Sequence, residues 1–142
     1  MKNERILALD LGRKRIGLAL SDPLGISAQG LETLQRTTIR EDIAAIETLA
    51  REHQVKLILL GHPLNMKGDE GRQAVYTREF ADKLRERTGL AVRFWDERLT
   101  SKEAERVLKQ SGISIAKRAQ AVDRMAAVIL LASFLDSGAT AA

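Results

Sequence analysis

Hydrophobic positions in this chain follow two rhythms. Near the N-terminus they form short, nearly unbroken runs. Residues 4–11 end in Ile6-Leu7-Ala8-Leu9-Asp10-Leu11, the pattern of a buried strand. After the turn Gly12-Arg13-Lys14-Arg15, residues 15–21 (Arg-Ile-Gly-Leu-Ala-Leu-Ser) read as its hairpin partner. Asp22-Pro23-Leu24-Gly25 is a turn by composition. A third strand is expected around Ala28–Gln35, although Leu31 and Leu34 break strict alternation. Helical spacing then alternates with short apolar runs. Thr38 and Glu41 form a capping box, opening a helix with the stripe Ile39, Ile43, Ile46, Leu49 and Ala50. Val55 to Leu60 is a wholly apolar strand, as expected when both faces are covered. Gly61 to Gly71 is a loop, and a helix from about Arg72 to Arg87 carries Tyr76, Phe80 and Leu84 on one stripe. Leu90 to Trp95 is the fifth strand. Thr100 and Glu103 make a second capping box for a helix to about Gln110. A basic connector, Ser111 to Arg118, leads to a last helix from about Ala119 to Asp136, apolar on nearly every face.

This order, β-β-β-α-β-α-β-α-α, predicts an α/β fold. Three antiparallel strands come first and βα units with right-handed crossovers follow. The simplest architecture is a five-stranded mixed sheet with helices on both faces. Residues 1–138 are expected to form a single domain, with 139–142 a frayed tail.

The bulk numbers narrow the chemistry. A chain of 142 residues with 44% apolar and 30% charged positions has enough material for one real core. It has no cysteine, which excludes disulfides and thiolate-bound zinc. Its two histidines, His53 and His62, are too few and too far apart for a His-rich metal site. Oxygen ligands remain, and these favour Mg²⁺ or Mn²⁺. The start, Met-Lys-Asn-Glu-Arg, does not read as a signal peptide. No apolar stretch reaches the roughly 18 residues of a membrane span. A soluble cytoplasmic protein with no membrane association is the expectation. The net charge of +4 modestly favours a polyanionic partner.

Three carboxylates stand out against the apolar pattern: Asp10 within the first strand, Glu97 just after the fifth, and Asp123 in the last helix. An isolated buried carboxylate is costly unless paired or metal-bound. Three in separate buried elements suggest a shared cation. Each also has a plainer reading. Asp10 could cap the Gly12 turn, the Asp96-Glu97-Arg98 triplet could be a solvated salt-bridge cluster, and Asp123 could favour a helix start through the macrodipole. Adjacent strand residues face opposite ways, so Asp96 and Glu97 cannot both face one metal unless the strand has already turned. Asp123 shares a helical stripe with Ala119, Ala126, Ala127 and Leu130, small enough to bring that helix close to the sheet.

Polar and basic residues cluster near these carboxylates in sequence. Gly12, Lys14 and Arg15 follow Asp10, Arg98 and Thr100 follow Glu97, and Lys117 and Arg118 precede Asp123. Asn65 and Lys67 stand in the loop Gly61-His62-Pro63-Leu64-Asn65-Met66-Lys67-Gly68, whose amides could approach a phosphate. These nine residues are the candidate nucleic-acid contacts. His62 could act as a base, but a lone loop histidine is more often simply hydrogen-bonded. Trp95 and Tyr76 read as packing residues, since only 4% of the chain is aromatic.

Four motifs in order carry a resemblance across nearly the whole chain: Ala8-Leu9-Asp10-Leu11-Gly12-Arg13-Lys14-Arg15-Ile16-Gly17-Leu18-Ala19, the Gly61–Gly68 loop, Asp96-Glu97-Arg98-Leu99-Thr100-Ser101, and Val122-Asp123-Arg124-Met125-Ala126-Ala127. The set resembles the YqgF family, also called RuvX-like Holliday-junction resolvases. His62 stands where many members have a more apolar residue. The resemblance implies an RNase H-like fold, with Asp10, Glu97 and Asp123 as metal-binding catalytic carboxylates. It implies phosphodiester hydrolysis with two Mg²⁺ or Mn²⁺ ions about 3.5–4 Å apart. The substrates it implies are the 5′ end of precursor 16S ribosomal RNA, branched DNA, or both. A symmetric four-way junction would favour a homodimer.

Two other readings compete. One is a nucleic-acid-binding module of the same fold without catalysis. The other is a phosphotransferase, because Asp10-Leu11-Gly12 after a strand also resembles the first phosphate loop of actin-like kinases. Those folds close two such domains over ATP, and this length supplies one.

Overall fold

The computed structural model describes residues 5–62, 71–96 and 115–137, with side chains in the last helix described from residue 125 onward. The described elements are β1 (Ile6–Leu11), β2 (Arg15–Ser21), β3 (Ala28–Gly30), β4 (Leu34–Gln35), α1 (Ile39–Glu52), β5 (Leu57–His62), α2 (Arg72–Thr88), β6 (Ala91–Asp96) and α3 (Ile115–Asp136). The expected helix over about 100–110 lies outside the described residues.

The strands form one mixed sheet in the order β3-β2-β1-β5-β6, with β4 also paired to β2. β1 and β2 are antiparallel, with Leu9 opposite Leu18 and Asp10 opposite Gly17. β1–β5 and β5–β6 are parallel, with Leu9 aligned to Leu60 and Gly61 to Trp95. The expected mixed α/β sheet with helices on both faces is present, with six strands where five were expected. The third strand is in two pieces, both on the outer edge of β2. The break falls at 31–33, where alternation fails. Leu31 N bridges it by donating to Leu18 O at 2.9 Å.

Alternation sorts side chains onto two faces. Leu7, Leu9, Leu11, Ile16, Leu18, Leu20, Ile58, Leu60 and Val92 pack with Ile43, Ile46 and Ala50 of α1 and Phe80, Ala81 and Leu84 of α2. Ile6, Ala8, Ala19, Leu57 and Leu59 face Ala127, Leu130, Leu131 and Phe134 of α3. Thr38 caps α1 as expected, its Oγ1 accepting from Glu41 N at 3.1 Å. Gly89 ends α2 at φ 72°, a left-handed position that suits glycine.

Three of the boundaries that differ from expectation bear on the candidate site. β5 runs to His62, not Leu60. The residue before a proline is biased to extended backbone, and Pro63 follows. β6 reaches Asp96, so that carboxylate is still a strand residue. α3 begins at Ile115, four residues earlier than expected. Lys117 and Arg118 are therefore helical rather than part of a connector. No helix breaker separates them from Ala119, and both residue types favour helix.

Candidate active site

Asp10 is the penultimate residue of β1, half-buried, on the face covered by α3. Its direct partner on β2 is Gly17. On the other side, the register that aligns Leu9 with Leu60 brings Gly61 of β5 level with Asp10. Both neighbours of Asp10 on its own face are therefore glycines. One row lower the same positions hold Ala19, Ala8 and Leu59, which are fully buried. The side chains thin out where the carboxylate stands. Beyond Gly61 the row ends in Trp95, which is half-buried, packs edge-on against Phe134 at 5.2 Å and donates from Nε1 to Ser133 Oγ at 3.1 Å. Trp95 is a packing residue, as its sequence context suggested.

Gly12 turns the chain just past Asp10. Its amide donates to Arg15 O at 2.9 Å, and a Cβ there would meet that oxygen at 2.6 Å, so this tight turn requires glycine. Arg13 and Lys14 are exposed on the turn, and Arg15 is half-buried at the start of β2, opposite Gln35. The turn thus presents cationic side chains three to five residues beyond Asp10, at the carboxyl end of β1. Ligand sites in open α/β sheets favour that end.

Asp96 aligns with His62 and belongs to the opposite face from Asp10, with the same parity as Val92 and Phe94. It does not share Asp10's side of the sheet. His62 stacks on Phe94 with centroids 5.0 Å apart, also on that opposite face. Asp123 lies in α3, four residues before the buried Ala127, with its side chain outside the described set. Glu97, Asn65, Lys67, Arg98 and Thr100 lie outside the described residues. Among the described residues no group of three or more His, Asp or Glu comes together to hold a metal.

Sequence reading missed the two glycines flanking Asp10, because only the strand register brings Gly17 and Gly61 beside it. It also missed Arg36. This side chain bonds Gly12 O at 2.9 Å and Asp42 Oδ2 at 3.2 Å.

The family model described as "RuvX: Holliday junction resolvase" matches residues 4–137. The chain belongs to the RuvX family. Among RuvX-like relatives, the "Putative pre-16S rRNA nuclease" of Syntrophomonas wolfei is 49% identical over 134 residues, covering 94% of this chain and 95% of that protein. The protein of the same name from Koribacter versatilis is 50% identical over 132 residues, covering 93% and 86%. Among solved structures, Thermus thermophilus RuvC in complex with a Holliday junction substrate matches with a TM-score of 0.55 at 14% identity. The match covers 96% of this chain and 98% of that one. The likeness to RuvC is one of fold: the RuvX chain is RNase H-like.

Proposed function

We propose that this chain is a metal-dependent endonuclease for structured nucleic acid. Asp10, Glu97 and Asp123 are its metal-binding carboxylates, and the 5′ end of precursor 16S ribosomal RNA is its first candidate substrate. The observation that carries this reading is Asp10 itself: a half-buried carboxylate at a strand end, flanked on its own face by Gly17 and Gly61. Neither of those neighbours carries a side chain on that face. An all-oxygen donor set in a chain without cysteine suits Mg²⁺ or Mn²⁺. Asp96 is on the wrong face, which leaves Glu97 as the carboxylate assigned to that strand end. Asp123 precedes Ala127 by four positions and Leu130 by seven in α3, the spacing of one helical stripe. When bound, divalent cations supply a deprotonated water and charge neutralisation at the leaving oxygen.

The chain's own residues do the rest. The carboxylates would hold the cations and so set where the scissile phosphate lies. Gly12, Lys14, Arg15, Arg98, Thr100, Lys117 and Arg118, with Asn65 and Lys67, take the flanking phosphates. Family membership favours this reading over the phosphotransferase. Branched DNA presents the same phosphodiester, and a two-fold junction would call for a homodimer. Either substrate places the protein in the cytoplasm. No helix among the described residues is long and apolar enough to cross a membrane.

The test is side-by-side cleavage of a precursor 16S leader and a synthetic four-way junction, in Mg²⁺ or Mn²⁺, with an Asp10→Asn control. Cleavage that leaves a 5′-phosphate, and is lost in the variant while binding persists, is expected. Wild-type turnover by Asp10→Asn contradicts the assignment. Salt-sensitive binding with no cleavage by either protein selects the non-catalytic module instead.

A further inference from the structure

We propose that Arg36 is a positioning residue: it fixes the Gly12–Arg15 turn, and through it aims Arg13 and Lys14 at the phosphates beside Asp10. The inference rests on the nuclease reading above and assigns a control point within that site. Arg36 lies just after β4, is 24 positions from Gly12 in sequence, and belongs to no catalytic motif.

One guanidinium joins three elements. Its NH1 donates to Gly12 O at 2.9 Å, its Nε to Asp42 Oδ2 of α1 at 3.2 Å, and its NH2 to the Tyr76 hydroxyl of α2. The plane lies over the rings of Tyr76 and Phe80, 5.3 and 5.7 Å from their centroids. The same residue's amide donates to Lys14 O at 2.9 Å. Both Gly12 O and Lys14 O, one on each side of Arg13, are therefore held by Arg36. Asp42 is 2% exposed and its other oxygen accepts from Thr37 N at 3.0 Å, so the anchor is itself fixed.

Energetics argue against stability as the sole purpose. A buried ion pair of this kind is often matched or bettered by an apolar pair of similar volume. A planar fork, in contrast, can hold three acceptors in fixed directions, which neither a lysine nor a hydrocarbon can do. The side chain is only 12% exposed, so it does not reach a phosphate itself. Arg13 and Lys14 are exposed, and they are the side chains the proposal assigns to the phosphates.

The test uses the full chain with Arg36→Lys, Tyr76→Phe, the pair Arg13→Gln/Lys14→Gln, and the combination of Arg36→Lys with that pair. Tyr76→Phe keeps the ring and the Asp42 ion pair, and so guards against a variant that fails to fold. The first readout is amide hydrogen exchange at Gly12, Arg13 and Lys14 without nucleic acid. The second is the salt dependence of binding to the leader RNA and the junction in EDTA, where cleavage plays no part. Arg36→Lys is expected to speed turn exchange about tenfold, the factor set by losing one hydrogen bond to a charged group. It should also weaken binding severalfold and flatten the log–log salt slope by about one unit. Tyr76→Phe should move both in the same direction by less. Once Arg13 and Lys14 are neutral, Arg36→Lys should change affinity no further. Unchanged turn exchange, or affinity losses that simply add, would overturn the proposal. If the wild type binds neither nucleic acid, the nuclease reading fails with it, while the exchange data still decide the clasp on their own.

Discussion

The two faces of the sheet come from the same strands and do opposite work. On the side of α1 and α2, β1, β2 and β5 contribute Leu7, Leu9, Leu11, Ile16, Leu18, Leu20, Ile58 and Leu60. Each is large and buried, and none carries chemistry. On the side of α3 the alternate positions are Ile6, Ala8 and Asp10, then Ser21, Ala19 and Gly17, then Leu57, Leu59 and Gly61. Moving toward the carboxyl end of β1, these side chains shrink until the row at Asp10 has glycine on both sides. One face is filled for stability. The other is thinned at one end, and the thinning leaves room for a charged group that a filled core would exclude.

The contrast is sharpest in a pair of adjacent substitutions. Asp10→Asn should remove cleavage altogether while shifting unfolding free energy by less than about 1 kcal/mol, within the usual range for a site away from the packed core. Leu9→Ala, one residue away on the other face, should cost about 2–5 kcal/mol in a denaturant titration. Turnover in Leu9→Ala should stay near wild type at temperatures where the variant is folded. If Asp10→Asn unfolds the protein, or Leu9→Ala abolishes turnover in a folded chain, the division of labour is wrong.

Gly17→Val tests the thinning itself. A side chain beside Asp10 should cost roughly 1–3 kcal/mol through overpacking and lower turnover by more than its effect on folding explains. Full activity in that variant would mean that the space is not used. Thr38→Ala removes the α1 cap and should cost about 1 kcal/mol of stability. Metal binding should not change, because this layer lies behind the filled face.

The smallest effect is expected at the end of β2 remote from Asp10. Asp22 there accepts amide hydrogen bonds from Ser27 at 2.8 Å, Ile26 at 2.7 Å and Leu24 at 3.3 Å. These bonds, the Ser27 one first, hold its pKa below the ordinary 3.8. Because the folded value is depressed, the contribution is present above the ordinary value and fades as pH falls through the lowered one. Amide shifts of Ser27 and Ile26 should therefore titrate with a midpoint below 3.8. A midpoint above 3.8 would contradict the hydrogen-bond account.

Local features of this fold were legible in the sequence. The Asp10–Gly12 strand end and turn, the Thr38 cap and the α1 stripe depend on residues within a few positions of each other. The face of Asp96 was half legible: alternation separates it from Glu97, but only the His62–Asp96 alignment shows which side of the sheet it takes. The glycine neighbours of Asp10 were not legible. Gly17 reads as an interior residue of the second strand and Gly61 as the start of a loop until the register sets both beside the carboxylate. The Arg36 clasp was hidden for the same reason, because its partners Gly12 and Tyr76 are 24 and 40 positions away. Tyr76 read as a packing residue, and its ring does pack on Phe80 at 6.3 Å. Its hydroxyl finds a use only through tertiary contact.

Binding of Mn²⁺ to the intact protein, measured by titration calorimetry for wild type, Asp10→Asn and Asp96→Asn, tests the central claim most directly. Loss of affinity of about tenfold or more in Asp10→Asn, with Asp96→Asn indistinguishable from wild type, is the predicted result, since a metal-bound carboxylate contributes far more than a surface one. Equal affinity in wild type and Asp10→Asn, or a loss that tracks Asp96 instead, would contradict it.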